Sequence, residues 1–312
     1  MDKIKLLSSN LISKIAAGEV IERPSFVVKE LIENSLDSQA TQIIIDIEDA
    51  GLKKISVVDD GYGMGKNDVE ESVKVHTTSK IYNDNLLGIK SFGFRGEALA
   101  SIGAVSTLTI KSKTEGEKSG TQLVIRFGEL DSVVPIGIPV GTTVIAENLF
   151  LKLPARRKFL KTSKTEFRHI LDVVTKYALA FPTVRFKLTH NSKVIIDLLK
   201  TDNIARRIKF LFGDLIHNNL LPLSFEDGYL KINGFIGHPQ ISTSKPSKQY
   251  IYVNNRSVTN KIVSTAISES FETLIARDHY AAFVIFVTLP YESVDINVHP
   301  RKEFVAFFDD KK

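Results

Sequence analysis

Cysteine and tryptophan are both absent from the sequence, and methionine occurs only twice. The lack of cysteine excludes disulfides, thiolate zinc sites, iron–sulfur clusters and thiol catalysis together, and it fits a reducing compartment. Long apolar runs are missing as well. The longest, 281–289, contains Thr288 and falls far short of the ~18 residues that span a bilayer. The opening stretch Met1-Asp2-Lys3-Ile4-Lys5-Leu6-Leu7 meets Ser8-Ser9-Asn10 before a signal-peptide core forms, so an intracellular, cytoplasmic and soluble protein is expected. No histidine stands in an HExxH or HxH pattern, and no GxxxxGK[ST] loop occurs, which removes the common helical zinc site and the P-loop. Charge of one sign is not in excess either. Lys and Arg number 41 against 36 Asp and Glu, a net +5 that is too small for a wholly electrostatic DNA binder.

What remains is an ordinary globular composition, 43% apolar and 25% charged, over 312 residues, a length that favours two domains. In the first, helices are expected at 11–20 and 26–36, then a hairpin of strands 42–48 and 54–59, a polar helix near 67–75 and a helix from about 97. Strands at 106–114, 121–127 and 142–147, a long amphipathic helix at 167–180 and strands at 184–189 and 193–199 follow. Antiparallel hairpins with helices between them predict an α+β fold, an α/β sandwich with helices on one face of a mixed sheet. The pattern restarts near 201–213 with a helix, a hairpin around Asp227-Gly228, a strand at 249–253, a helix at 258–276 and a strand at 282–289. Domains are therefore expected at 1–200 and 207–312.

Several segments carry possible chemistry. On the helix 26–36, Glu30, Asn34 and Asp37 lie at i, i+4 and i+7 and project from one face. A solvated polar face explains this spacing. So does a site in which Asn34 offers an oxygen to Mg²⁺ and Glu30 orients a water as general base. Asp59-Asp60-Gly61-Tyr62-Gly63-Met64 follows a strand, but its carboxylates repel a pyrophosphate and the last glycine of a dinucleotide fingerprint is missing. A carboxylate at a strand end can instead accept a hydrogen bond from an exocyclic amine such as adenine N6, with glycines allowing the base close to the backbone. A plain Asp-Gly turn is equally compatible. Gly93-Phe94-Arg95-Gly96 precedes a helix and suits either an anion-wrapping lid or a simple connection. Gly141-Thr142-Thr143 is a turn or a source of one more hydroxyl.

Taken together, the order and spacing of these segments resemble the four nucleotide motifs of the GHKL ATPases, which include type II topoisomerase subunits, sensor histidine kinases and a class of heat-shock chaperones. Within that superfamily the chain resembles the N-terminal ATPase half of the MutL mismatch-repair family. The marks are Ile15-Ala16-Ala17-Gly18-Glu19-Val20-Ile21-Glu22-Arg23-Pro24, the Gly93-Phe94-Arg95-Gly96-Glu97-Ala98-Leu99 run, Pro154-Ala155-Arg156-Arg157-Lys158-Phe159-Leu160 and Asn297-Val298-His299-Pro300-Arg301-Lys302. The resemblance covers nearly the whole chain.

It implies a GHKL-type ATP-binding domain with an N-terminal dimerisation segment, then a smaller ribosomal-protein-like α/β domain. It also implies roles residue by residue. Glu30 would be the general base, Lys302 would reach the γ-phosphate, and Asn34 would hold Mg²⁺. ATP would be bound by Asn34, Asp37, Asp59, Gly61, Gly63, Met64, Thr78, Ser79, Lys80, Gly93, Phe94, Arg95, Gly96 and Thr143, with 93–96 as the lid. Three departures stand out. The usual VNGR reads Val253-Asn254-Asn255-Arg256, DNG reads Asp59-Asp60-Gly61, and HATSK reads His76-Thr77-Thr78-Ser79-Lys80.

The implied activity is a slow Mg-dependent ATPase of DNA mismatch repair, in which ATP closes the lid and drives homodimerisation. Its implied partners are single- or double-stranded DNA bound non-specifically, the mismatch-recognition protein MutS, and a downstream nuclease or helicase. A further C-terminal dimerisation domain, sometimes with an endonuclease metal site, is implied beyond the sequence given. The competing readings are another GHKL machine such as a topoisomerase subunit, a non-hydrolysing nucleotide-switched module, and a plain basic DNA-binding scaffold.

For DNA, the small net charge conceals two runs. Residues 152–168 hold seven Lys and Arg against Glu166 alone, and 242–261 hold four with no acid, leaving the rest of the chain acidic. Arg156, Arg157, Lys161, Lys164, Arg256 and Lys261 are the candidate DNA contacts, with a solvated basic face as the plain alternative.

Overall fold

A computed structural model of the chain describes residues 21–75, 77, 91–93, 96–295 and 306–307. The expected helix at 11–20, the lid residues Phe94 and Arg95, the Thr78-Ser79-Lys80 run and Lys302 lie outside the described residues. The described chain forms two compact units. One is built from residues up to 77 together with 91–175 and 183–200, the other from 176–182 and 201 onward.

The first unit contains an eight-stranded sheet. Its strands are β1 (Gln42–Glu48), β2 (Lys54–Asp59), β3 (Thr107–Lys113), β4 (Gly120–Arg126), β5 (Glu129–Ile136), β6 (Gly141–Glu147), β7 (Arg185–His190) and β8 (Lys193–Leu198). They run in the order β5-β4-β3-β6-β2-β1-β7-β8. Every neighbouring pair is antiparallel except β1 with β7. Helix α1 (Pro24–Asp37) precedes them, and α2 (Lys66–Glu71), α3 (Ala98–Val105), α4 (Pro154–Phe159) and α5 (Ser163–Ala180, its last turn in the second unit) are inserted between them.

Register explains why one face is covered. Leu188, Ile45, Val57, Val144, Ile110 and Leu123 are successive cross-strand partners and all are buried. Ile47, Ile55, Ala146, Leu108 and Ile125 make a second buried row beside them. Because side chains alternate across a strand, both rows share one face, which the helices cover. The mixed sheet with helices on one face, expected from the sequence, is present.

The second unit has a five-stranded sheet of β9 (Leu220–Glu226), β10 (Lys231–Gly237), β11 (Gln249–Val253), β12 (Arg256–Val258) and β13 (Phe283–Thr288), ordered β12-β11-β13-β10-β9. Both of its faces are apolar. Tyr250, Tyr252, Ala282 and Val284 pack with Leu179, Ile208 and Ile216, from the end of α5, α6 (Ile204–Phe212) and α7 (Asp214–His217). Ile251, Val253, Phe283, Ile285 and Val287 face the opposite way, onto Ile267 of α8 (Lys261–Ser270) and Phe271. This near-continuous apolar patterning is what a strand buried on both faces needs.

Four elements differ from expectation. β5 is not anticipated, because its polar, mostly exposed sequence carries Pro135; as the edge of the sheet it tolerates a residue without an N–H. α4 is not anticipated either. The polar helix expected at 67–75 stops at Glu71. The helix expected at 258–276 is shorter: β12 takes its start, and the Asn260 side chain caps α8 by accepting from the Val263 N–H at 3.0 Å. The turn between β11 and β12 places Asn254 and Asn255 at φ 48° and 64°. Asparagine tolerates this region, so replacing the family's glycine leaves the tight turn intact.

Candidate active site

The C-terminal end of β2 and the C-terminal half of α1 meet at Asp59. Its Oδ2 accepts from the Ser35 hydroxyl at 2.8 Å, and its Oδ1 accepts from the Gly61 N–H at 3.0 Å. Burial pushes the Asp59 carboxyl up from the ordinary aspartate range, against the opposing pull of Ser35 and of the Gly61 and Thr142 N–H groups. This is a partly desolvated acceptor at a strand end, held by three donors.

Asp60 behaves differently. Its Oδ1 accepts from the Thr41 and Gln42 N–H groups, each at 2.7 Å, and its Oδ2 from the Thr41 hydroxyl at 2.6 Å. Burial would raise this carboxyl, but those hydrogen bonds outweigh it and hold it below the usual range. The second aspartate of the motif therefore clips the start of β1 and adds no free carboxylate beside Asp59.

The loop after Asp60 closes against the far ends of β3 and β6. The Met64 N–H donates to Ser112 Oγ at 2.8 Å, and Ser112 Oγ lies 2.8 Å from Thr142 Oγ1. Gly63 has φ +73°, and a Cβ there would sit 2.1 Å from the Lys113 carbonyl oxygen. Backbone on backbone cannot be relieved by a rotamer change. Gly63→Ala should cost about 2–3 kcal/mol of stability, read as a lowered thermal midpoint; a midpoint equal to wild type would contradict this packing. At Gly61 the space is taken too, since a Cβ would meet Ser38 Oγ at 2.1 Å.

Strand register separates the two threonines. Thr142 pairs with Asp59, whereas Thr143 pairs with Val58. Opposed residues share a face, so Thr142 stands beside Asp59 and Thr143 points to the other side of the sheet. Thr143, expected in the ATP site, thus lies on the side of the sheet away from Asp59, and Thr142 on its side. Ser35 and Ser112 are also absent from the sequence-based site. Ser35 follows Asn34 directly on α1, but only the pairing of that helix with β2 reveals its use.

On α1, Glu30, Asn34 and Asp37 are all half-buried, as one helical face beside a pocket would be. Glu30 Oε1 lies 3.2 Å from the Lys29 ammonium. Asp37 reaches the loop ahead of α3: its Oδ1 accepts from the Phe92 N–H at 2.8 Å and its Oδ2 from the Gly93 N–H at 3.1 Å. The root of the glycine-rich loop is therefore tied to the helix carrying Glu30. Gly96, at φ +63°, packs so closely on Thr77 that a Cβ would lie 2.2 Å from the Thr77 carbonyl oxygen.

Among the described residues no group of three or more His, Cys, Asp or Glu could hold a metal ion. No helix of the described residues is long and apolar enough to cross a membrane.

Of the basic candidates, Arg157, Lys161 and Lys164 are exposed, and Lys261 is exposed at the start of α8. Arg156 is half-buried and donates to the Ile21 carbonyl at 3.2 Å. Glu166, the single acid of the first run, is 1% exposed, accepts from the Lys161 N–H at 2.9 Å and lies 3.9 Å from Arg23. The outward surface of that run is consequently basic alone. Arg256 is corrected: at 5% exposure it is buried within its unit and unsuited to meet a phosphate backbone.

Comparison with known proteins places these features. Residues 22–136 match the family model for histidine kinase-, DNA gyrase B- and HSP90-like ATPases, and residues 208–312 match that for the C-terminal domain of DNA mismatch repair proteins. The chain is 39% identical over 306 residues to the DNA mismatch repair protein MutL of Geotalea daltonii, covering 98% of this chain and 51% of that protein. It is 42% identical over 316 residues to MutL of Cellvibrio japonicus, covering 100% and 50%. Its fold is similar to the Aquifex aeolicus MutL ATPase domain complexed with ADP, with a TM-score of 0.67, 30% identity, and coverage of 86% of this chain and 93% of that one. The chain belongs to the MutL family. It spans about half the length of the curated MutL relatives it matches. Its first unit carries the GHKL-type ATPase fold of that family, and its second is an α/β unit matching the mismatch-repair model. A further solved structure, the N-terminal domain of a DNA repair protein, has a TM-score of 0.82 at 26% identity and covers 95% of this chain.

Proposed function

We propose that this chain binds and slowly hydrolyses ATP with Mg²⁺, and that nucleotide drives lid closure and pairing of two copies during mismatch repair. The carrying observation is the seating of Asp59, with its Ser35 and Gly61 donors, against α1, the helix that bears Glu30 and Asn34 on another face. Asp59 accepts from the adenine amine, and Thr142 contributes from the neighbouring strand. Gly61 and Gly63 let the loop beside Asp59 pack directly on Ser38 and on the Lys113 carbonyl. Asn34 is the protein oxygen that would hold Mg²⁺, whose charge neutralises the phosphates when bound. Glu30 accepts the proton of the attacking water and orients it. Lys302, Thr78, Ser79, Lys80, Phe94 and Arg95 complete the proposal from the resemblance to the family. A single carboxylate base gives slow turnover, since electrostatic stabilisation dominates phosphoryl transfer.

The test is size-exclusion chromatography with light scattering, with and without a non-hydrolysable ATP analogue and Mg²⁺. The expected result is a monomer that becomes a dimer with the analogue; an unchanged mass sinks the dimerisation reading.

DNA contact is proposed for the exposed run Arg157, Lys161 and Lys164 of the first unit, and separately for Lys261 of the second. Reversing Arg157 and Lys161 to Glu should weaken binding to unrelated sequences alike. It should also flatten the slope of log affinity against log salt by about 2. An unaltered slope would place DNA elsewhere. MutS and a downstream nuclease or helicase are the proposed protein partners, and the cytoplasm is the proposed compartment.

A further inference from the structure

Lys29 is a lysine in an unusual position. Its side chain is 13% exposed, and its ammonium lies 2.8 Å from Glu33 Oε1 and 3.2 Å from Glu30 Oε1. Glu33 is deeper still, at 3% exposure, while Glu30 is 19% exposed. The Lys29–Glu33 contact is an ordinary i, i+4 helix pair. The Lys29–Glu30 contact is not, because adjacent residues on a helix point about 100° apart and do not face each other. The Lys29 ammonium is held toward the next turn by Glu33 and from there also meets the Glu30 carboxylate. Burial alone would push the Lys29 ammonium down; the Glu33 and Glu30 carboxylates outweigh it and hold the group charged, above the usual lysine range. On β2, the strand packed against this helix, Asp59 is engaged by Ser35 and Gly61, at the other end of α1 from Lys29. At the N-terminal end of α1, Arg23 lies against Glu166.

We propose that Lys29 is a positioning residue for ATP hydrolysis: locked by Glu33, its ammonium fixes the direction in which the Glu30 carboxylate faces the attacking water. The proposal rests on the reading of Glu30 as general base. In a loose phosphoryl-transfer transition state the base chiefly orients the water, so its direction matters more than its basicity. A charge pinned beside it restrains the carboxylate without touching nucleotide. Glu33, which has no place in the hydrolytic chemistry, then has a use as the buried anchor of that charge.

Lys29→Met and Glu33→Gln separate this from a merely structural ion pair. Either change removes a charge from the helix and lowers thermal stability, whichever role is true. The kinetics differ. Lys29→Met should lower kcat about tenfold with nucleotide affinity within about twofold. Lys29→Arg, which keeps a charge between the two carboxylates, should return kcat to within about threefold of wild type, a rescue that a merely structural pair would show in thermal stability and not in kcat. Glu33→Gln, which weakens the anchor of that charge, should lower kcat by about threefold to tenfold with nucleotide affinity unchanged. A kcat of wild-type size in both Lys29→Met and Glu33→Gln overturns the proposal. If Lys29→Met does not fold, kcat of Glu33→Gln alone decides. Glu30→Gln is the control. Wild-type hydrolysis there removes the base reading and this proposal with it, whereas loss of hydrolysis there with wild-type kcat in the other two variants removes only the role of Lys29.

Discussion

Glu30→Gln is expected to reduce steady-state phosphate release by about 100-fold or more, while nucleotide affinity stays within about threefold of wild type. Gln preserves the volume and one carbonyl oxygen on the half-buried face of α1, so the helix should fold unchanged. What it loses is the capacity to accept a proton from water. Nucleotide-driven dimerisation should therefore survive and persist longer, because the bound state is no longer emptied by hydrolysis. Phosphate release, equilibrium nucleotide binding and light scattering on the same preparation measure the three quantities. Equal turnover in the two proteins would remove Glu30 from the chemistry. Loss of binding together with turnover would make it a structural residue.

Asp59→Asn is expected to weaken ATP binding by about 10- to 100-fold, the worth of a hydrogen bond to a charged acceptor, without weakening the fold. The substitution is nearly isosteric. The amide oxygen can still accept from the Gly61 N–H, and the amide nitrogen can donate to Ser35 Oγ, whose own proton can then turn to the Leu31 carbonyl at 3.1 Å. Because burial raises the Asp59 carboxyl, ionising it in the folded protein is unfavourable. The linkage sign follows: this group favours the folded state below its unfolded titration range, and that contribution is lost as pH rises through its raised folded value. At neutral pH the neutral Asn avoids that penalty, so the thermal midpoint without nucleotide should be equal to wild type or higher. Nucleotide affinity has the opposite dependence. It needs the ionised carboxylate, so it should fall on acidification sooner than an ordinary aspartate would allow, and the fall should be absent in Asp59→Asn. Titration calorimetry from pH 5 to 8 reads both; parallel curves for the two proteins would argue against Asp59 as the base-binding acceptor.

These two residues were legible from local sequence because each depends on a local rule: helical spacing for Glu30, a strand ending in a carboxylate and glycines for Asp59. The periodicities of β1, β2 and α5 were legible for the same reason. Residues whose meaning depends on pairing were not. Thr142 and Thr143 are indistinguishable until the register of β2 against β6 assigns each a face. Ser35 reads as an ordinary small helix residue until α1 lies on β2. Arg256 counts as a charge in any sequence run, and only the packing of β12 shows it buried. β5 was missed because an exposed edge strand carries neither the alternation nor the apolar content that identifies its neighbours.

The clip formed by Asp60 has a practical side. Its carboxylate meets two backbone N–H groups and one hydroxyl, and the amide oxygen of the asparagine usual in this family could accept the same backbone bonds. Exchange between the two residues would then keep the clip and reach Asp59 through charge alone, since the Asp60 carboxylate helps to raise the Asp59 carboxyl. An inhibitor aimed at the proposed Asp59 pocket would meet position 60 as a change in potential and not in shape. Shape selectivity would have to be sought at Thr142, which stands on the Asp59 side of the sheet.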